Sequence, residues 1–440
     1  MSVVETIDYY KDELTKARQN DSSERLIVAL ADYGNAILKT GDAPQALTHI
    51  EEALRLAKSI DEKINQARLL GLKGTALKQI GNPQTAQNAF NKSLKLARKL
   101  DHKPIMIDAL TQLGRLKVEI GEMEKGIPDL ELAFRTALEI QDAPRIMYIA
   151  GLMAGVFMLS EQYGKAMELY AIALEHAENL EKLEAQSNYH LSIGNIYLLK
   201  KDFNPAEEHM KKALDIGSRL GNPRIQFSSF EQLLRHAIIC DKLYEAQFSG
   251  QQAVRLAKDL KDIGAAVMVL RQLGEYLLEK EAYADALPLL EDGYALCQEM
   301  HDQEQQMYFL KDQGMCHYLT GALDTAEEKL KSALDIGHFL HLPDQEAAIA
   351  SRLSAIKADQ GHLDQALSYG QRALELAKNH KLTFLEGELH VMQGLNMHEN
   401  GQAETAVKHL KSALAIFSQF GRKDLQEQVQ SYLNELEISD

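Results

Sequence analysis

The chain has 440 residues, and 48 basic against 64 acidic side chains leave a net charge of −16. That balance argues against nucleic acid or an anionic membrane as partner, since both need a basic surface. Hydrophobic residues make up 45%, aromatics only 6%, and tryptophan is absent, which suits helices and disfavours a sandwich or barrel. Cys240, Cys297 and Cys316 are too few and too widely spaced for a disulfide framework and fit a reducing compartment. The N-terminal stretch is charged and has no apolar core of signal-peptide type, and no apolar run approaches the ~18 residues of a membrane span. The expectation is a soluble, cytoplasmic protein, in which the sequons at Asn20 and Asn91 carry no meaning.

In chain order, residues 3–19 read as one amphipathic helix through Thr6, Tyr10, Leu14 and Ala17. The remainder is a repeat. Stepping by forty from Gly34 gives Gly74, Gly114, Ala154, Gly194, Leu234, Gly274, Gly314, Ser354 and Gly394, where only Leu234 is large. Twelve residues on runs a column from Ala46 to Ala406, broken only by Gly126. Seven further on runs another small column from Ala53 to Ala413, followed at once by a large apolar column from Leu54 to Leu414. Small residues in facing columns let two helices approach closely.

The stretch from Arg68 to Asp101 shows one whole unit. Leu69, Leu70, Leu72, Ala76, Leu77 and Ile80 share a helical face, Gly81-Asn82-Pro83 makes a stop and a start, and Ala86, Phe90, Leu94, Ala97 and Leu100 line a second helix. The turn glycine recurs at Gly41, Gly121, Gly321, Gly361 and Gly401 but is replaced at Glu161, Lys201, Asp241 and Glu281. Tyr163, Phe203, Leu243 and Tyr283 follow those four and are expected to pack on the turn. Between repeats, Asp61, Asp101, Asp142, Asn222, Asp262 and Asp302 read as helix stops and N-caps, with Asp21 in the same register. Pro104, Pro144, Pro223 and Pro343 fall at helix starts. Leu425, Val429, Tyr432, Leu433 and Leu436 read as a last, lone helix. The expected organisation is one all-α solenoid: an N-terminal capping helix over 1–23, ten repeats over 24–423, and a C-terminal capping helix over 424–440.

The glycine column and the two alanine columns resemble the tetratricopeptide repeat. The resemblance spans about the whole chain, but the period is forty residues rather than the usual ~34. It is similar to the extended group found in spindle-orientation adaptors, kinesin light chains, bacterial peptide-pheromone receptors and MalT-type regulators. The resemblance implies a right-handed superhelix whose concave wall is built by the first helices and binds peptide or protein. Facing that wall would be Asn35, Arg115, Asn195 and Arg235, just after the small column, and Arg271, Lys311 and Arg352, just before it. Arg235, Arg271, Lys311 and Arg352 would form a basic ladder for an acidic segment or a C-terminal carboxylate. Met158-Leu159, Leu198-Leu199 and Ile238-Ile239 would form an apolar stripe, with Met158, Leu159, Leu199 and Ile239 as its contact residues.

No phosphate-binding loop, nucleophile elbow, H-E-x-x-H or C-x-x-C is present. His338 and His341 read as surface histidines rather than metal ligands, and Cys297 and Cys316 as core residues. No cofactor, metal or catalytic group is expected. The leading reading is a non-enzymatic adaptor binding a peptide or protein segment. The alternatives are a peptide-responsive sensor whose superhelix changes pitch, and a self-assembling protein meeting its copy through Val3, Val4 and Ile7 or through Leu425 to Leu436.

Overall fold

A computed structural model of the chain describes residues 3–19 and 22–439. Asn20, Asp21 and the side chains of Val3 and Val4 therefore lie outside the described residues. The chain divides into two compact units, 1–221 and 222–440, with the division in a loop. The first holds α1 (Val3–Arg18), α2 (Ser23–Leu38), α3 (Ala43–Ser59), α4 (Lys63–Gln79), α5 (Pro83–Lys99), α6 (Lys103–Glu119), α7 (Met123–Glu139), α8 (Ala143–Leu159), α9 (Tyr163–Asn179), α10 (Leu183–Leu199) and α11 (Phe203–Arg219). The second holds α12 (Pro223–Ile239), α13 (Leu243–Asp259), α14 (Ile263–Glu279), α15 (Tyr283–Met300), α16 (Gln303–Leu319), α17 (Leu323–Phe339), α18 (Pro343–Asp359), α19 (Leu363–Asn379), α20 (Thr383–Glu399), α21 (Ala403–Gln419) and α22 (Lys423–Ser439). Among the described residues every helix begins twenty residues after the one before it, and no strand is present. The fold is all-α and built from stacked helical hairpins.

The even-numbered helix from α2 to α20 and the odd-numbered helix after it form the tightest pairs. Glycine makes that approach possible. A Cβ added at Gly74 would stand 2.5 Å from the Phe90 ring, and one at Gly274 would stand 2.6 Å from Leu290. At Gly114 it would meet Leu130 at 2.6 Å and the carbonyl oxygen of Gly126 at 2.9 Å. The facing column is thus large and buried: Ile50, Phe90, Leu130, Tyr170, Met210, Leu290, Leu330 and Leu410. Leu234 breaks the small column because its hairpin reverses the arrangement. Its facing residue is Gly250, whose Cβ would lie 3.5 Å from Leu234, so the bulk has moved to the other helix. In α18/α19 both facing residues are small. Ser354 Oγ donates to the Ala366 carbonyl at 2.6 Å, and Gln393 from the next hairpin fills the space at Gly370.

Successive hairpins are tied by a recurring side chain. The amides of Gln66, Gln186 and Gln306 each donate to a carbonyl near the end of the preceding helix, those of Ala57, Ala177 and Cys297, at 2.9, 3.1 and 3.0 Å. This satisfies acceptors that a helix C-terminus otherwise leaves open. At one end of the chain α1 lays Leu14 and Ala17 into the core it shares with α2; at the other α22 buries Val429, Leu433 and Leu436. Pro128 and Pro288 sit inside α7 and α15, and both helices continue through them.

The loops separate two roles that share one residue type. Asp61 and Asp101 are left-handed, with φ of 59° and 50°. Asp142, Asn222, Asp262 and Asp302 are N-caps whose side chains accept from the backbone two or three residues on. The N-cap after Asp101 is His102, whose Nδ1 accepts from Ile105 N at 3.3 Å, so the capping role assigned to Asp61 and Asp101 is corrected. Glu161, Lys201, Asp241 and Glu281, which replace the turn glycine, hold φ of 56–62°. Of the residues that follow them, Tyr163 and Tyr283 pack against the cores, while Leu243 is exposed.

Gly114→Ala is expected to cost about 1–3 kcal/mol, because one of its obstructions is backbone, and more than Gly34→Ala, which meets Ile50 at 3.0 Å and a carbonyl at 3.5 Å. Glu281→Gly relieves a left-handed non-glycine residue and is expected to stabilise by about 0.5–1 kcal/mol. Urea unfolding of the three variants checks both the order and the signs.

Candidate peptide-binding face

On the first helix of each hairpin, the packed face leaves a second row at helical spacing whose members range from half-buried to exposed. In α8 that row runs Tyr148, Leu152, Gly155 and Leu159; in α12 it runs Ser228, Gln232, Arg235 and Ile239. The residue after the small column belongs to this row, which places Asn35, Arg115 and Asn195 half-buried and Arg235 exposed. Leu159 is 75% exposed, and Leu199 and Ile239 are each 51% exposed. Their neighbours differ: Leu198 is buried, and Met158 and Ile238 are half-buried. One residue of each pair therefore packs between helices and the next stands in solvent.

In the first unit, a cleft of about 350 Å³ lies between α2, α4 and α6, lined by Asn35, Arg68, Leu72, Thr75, Asp108 and Gln112 among others. Its charged rim is internally paired, with Arg68 2.6 Å from Asp32 and Arg145 2.8 Å from Asp108. Arg115 is likewise engaged, bonding Glu119 at 2.8 Å and the Tyr148 hydroxyl at 3.3 Å.

In the second unit, a cleft of about 460 Å³ between α12 and α14 brings Arg235 and Arg271 together, with Phe227, Met268 and Gln272. Met268 is 57% exposed. The two cations do not stand alone. Arg235 lies 3.6 Å from Glu231, and Arg271 lies 3.3 Å from Glu275. Arg271 also donates to Gln305 Oε1 at 3.0 Å and stacks over the Tyr308 ring at 4.9 Å. Lys311 approaches the same ring at 5.2 Å and the Asp312 carboxylate at 3.7 Å. Arg352 belongs to a separate cleft of about 390 Å³ between α18, α20 and α22, where burial pushes the Glu388 carboxyl up and Arg352 opposes the shift. Of the expected ladder, Arg235, Arg271 and Lys311 are paired charges linked through one cleft and the Tyr308 ring, and Arg352 stands in a different cleft.

Sequence reasoning missed Glu231, Glu275, Tyr308 and Asp312. The first two were readable, since each lies four residues from its arginine on one helix. Exposed pairs of this kind contribute little to stability and exchange partners readily. Elsewhere, His338 Nδ1 lies 3.3 Å from Glu346. Cys297 and Cys316 are buried, and burial pushes both thiols up to about 11.

Asp312 is the anomaly of this face. It is only 6% exposed, its Oδ2 has no hydrogen-bond partner, and burial raises its carboxyl to about 6 against the pull of Lys311. An unfolded Asp titrates near ~4. The folded state thus holds this proton more tightly, and its stabilising contribution is present below about 4 and lost as pH rises through 6. Asp312→Asn is expected to flatten the stability profile between pH ~4 and ~6 by about 1–3 kcal/mol. Urea midpoints of the two proteins across that range give the comparison.

Comparison with known proteins agrees with this geometry. The tetratricopeptide-repeat family model matches residues 25–99, and a second model of the same repeat matches residues 187–216. The chain is similar to the apo form of RapI, at 13% identity and a TM-score of 0.60, over 81% of this chain and 98% of that one. It is also similar to a Signal Transduction ATPase with Numerous Domains (STAND) protein with a tetratricopeptide repeat sensor from Pyrococcus horikoshii. There the identity is 13% and the TM-score 0.54, over 99% of this chain and 74% of that one. These structures share the fold. With its glycine and alanine columns packed as hairpins, the chain carries tetratricopeptide repeats and shares the fold of these structures.

Proposed function

We propose that this chain is a non-enzymatic interaction scaffold that takes a peptide or protein segment along the exposed row of its first helices. The observation that carries the reading is the α12/α14 cleft, where Arg235 and Arg271 flank the exposed thioether of Met268. That combination suits a segment with an acidic residue next to an apolar one. The carboxylate displaces Glu231 or Glu275 in a charge-assisted bond, and the apolar side chain meets Met268 and Phe227. Leu159 and Leu199 offer exposed apolar contacts in the first unit. On this reading the array comprises ten forty-residue repeats over 24–423, with 1–23 and 424–440 as caps. Preformed helices bind with little ordering cost, so affinity comes from many weak contacts. The likeness to a protein whose repeats are described as a sensor supports a second reading, in which occupancy of the row alters the stacking of hairpins.

The test is affinity capture with the full chain and with an Arg235→Glu/Arg271→Glu variant of unchanged circular dichroism. The proposal expects partners held by wild type to be lost by at least tenfold in the variant. An undiminished set of captured partners removes the cleft from the binding site.

A further inference from the structure

Two histidine pairs stand at equivalent places two hundred residues apart. His190 of α10 faces His209 of α11, and His390 of α20 faces His409 of α21. In each case the eighth residue of a first helix meets the seventh of the second, within one hairpin of one unit. The Nδ1···Nδ1 separations are 3.0 and 2.8 Å, and the rings lie at similar tilts, 56° and 51°. His190 is 8% exposed and His390 6%. No other hairpin has histidine at both places: α4/α5 has Leu70 with Ala89, and α2/α3 has Leu30 with a lone His49.

At these distances the two nitrogens share one hydrogen. One ring donates its Nδ1–H, and the other accepts through an Nδ1 lone pair while carrying its own proton on Nε2. A first added proton leaves that bond in place but buries a positive charge. A second sets two N–H groups and two positive charges face to face, and the contact cannot hold. The surroundings do little to help. Glu208 and Lys212 of α11 face the first pair and oppose one another, and the Tyr197 ring lies 5.7 Å from that of His209. Lys378 of α19 faces the second pair, and Glu386 of α20 lies 3.8 Å from His390 Nε2. Among the described residues no charged group of α9 or α22 acts on either pair.

We propose that the two pairs are proton-operated latches, each closing one hairpin at neutral pH and releasing it when both rings become protonated in mild acid. Burial first, and then the partner ring, holds His190 and His390 down to about 4, and burial lowers His209 and His409 as well. An unfolded histidine titrates near ~6.5. The open hairpin therefore binds protons more readily, and the closed state loses stability as pH falls from about 6.5 towards 4.

Hydrogen exchange of the full chain at pH 7.5 and 5.0, corrected for intrinsic rates, reads the effect directly. Opening of α10/α11 and α20/α21 is expected to rise about 30-fold through His190 or His390 alone and further through its partner, while α4/α5 does not respond. His190→Leu/His209→Ala and His390→Leu/His409→Ala reproduce the Leu70–Ala89 arrangement and are expected to abolish the response in the altered hairpin alone. An acid response that survives in the altered hairpin, or one that α4/α5 shares, overturns the proposal. The imidazole ¹⁵N spectrum of the wild-type chain decides even if a variant fails to fold. Depressed, coupled titration with one Nδ1–H per pair supports the latch, and four independent titrations near ~6.5 sink it.

Discussion

The structure depends on a side chain that is absent. Where Gly74 faces Phe90, or Gly114 faces Leu130 and the carbonyl of Gly126, the two helices of a hairpin stand too close for a methyl group. That approach lets a large buried residue of the second helix fill the space a side chain of the first would have used. Equal spacing of helix starts, twenty residues throughout, brings the same two columns together in every pair. The constraint is on summed volume, not on glycine itself. Leu234 with Gly250 satisfies it in reverse, and Ser354 with Gly370 satisfies it by borrowing Gln393 from the next hairpin. Interiors packed to crystal-like density tolerate such trades and little else.

Once the hairpin contact is met by one face of the first helix, the second row is under a looser packing demand. It carries Gly155 in α8, Arg235 in α12 and Glu275 in α14 at equivalent positions. A repeat array can therefore vary its binding chemistry without altering its architecture, which is why the fold does not dictate the partner. The pairing of Arg235 with Glu231 and of Arg271 with Glu275 follows from the same freedom. Cations on an acidic chain find acids one turn away, and the surface offers exchangeable charge rather than a bare basic track.

The architecture was legible because a periodic constraint leaves a periodic trace: the columns through Gly34, Ala46 and Ala53 name the interface directly. What escaped was whatever depends on a single partner. Leu234 breaks its column, and the Gly250 that compensates for it stands on the other helix. Asp61 and Asp142 are one residue type at nearly one place, yet one is left-handed and the other caps a helix, a distinction of one position in a three-residue loop. Leu198 and Leu199 are adjacent and identical, but a step of 100° around the helix buries one and exposes the other. His190 and His390 do recur in register, but at a spacing of five repeats, which a search for columns filled in every copy passes over.

Cohesion is not of one kind along the chain. In α4/α5 Phe90 packs on Gly74 and Ser93 Oγ donates to the Ala67 carbonyl at 2.7 Å, groups indifferent to pH. Between α16 and α20 the buried set includes Asp312, Gln313, Glu346, Ser354, Lys357, Gln393 and Asn396. Some are well satisfied. Lys357 reaches Glu327 at 2.7 Å, Glu346 holds Arg372 at 2.5 Å, and Asn396 donates to Ser354 Oγ at 3.1 Å. Others are not, since Gln313 and Gln393 each leave an amide oxygen unpartnered. An unpaired buried acceptor costs on the order of 1–3 kcal/mol relative to a satisfied one. Because each hairpin touches only its neighbours, that cost is not averaged over the molecule but stays where it arises. Local opening is therefore easiest where polar groups replaced hydrocarbon, and hardest where glycine meets an apolar ring. Two hairpins with one backbone geometry can differ in that respect through the chemistry of two facing side chains alone.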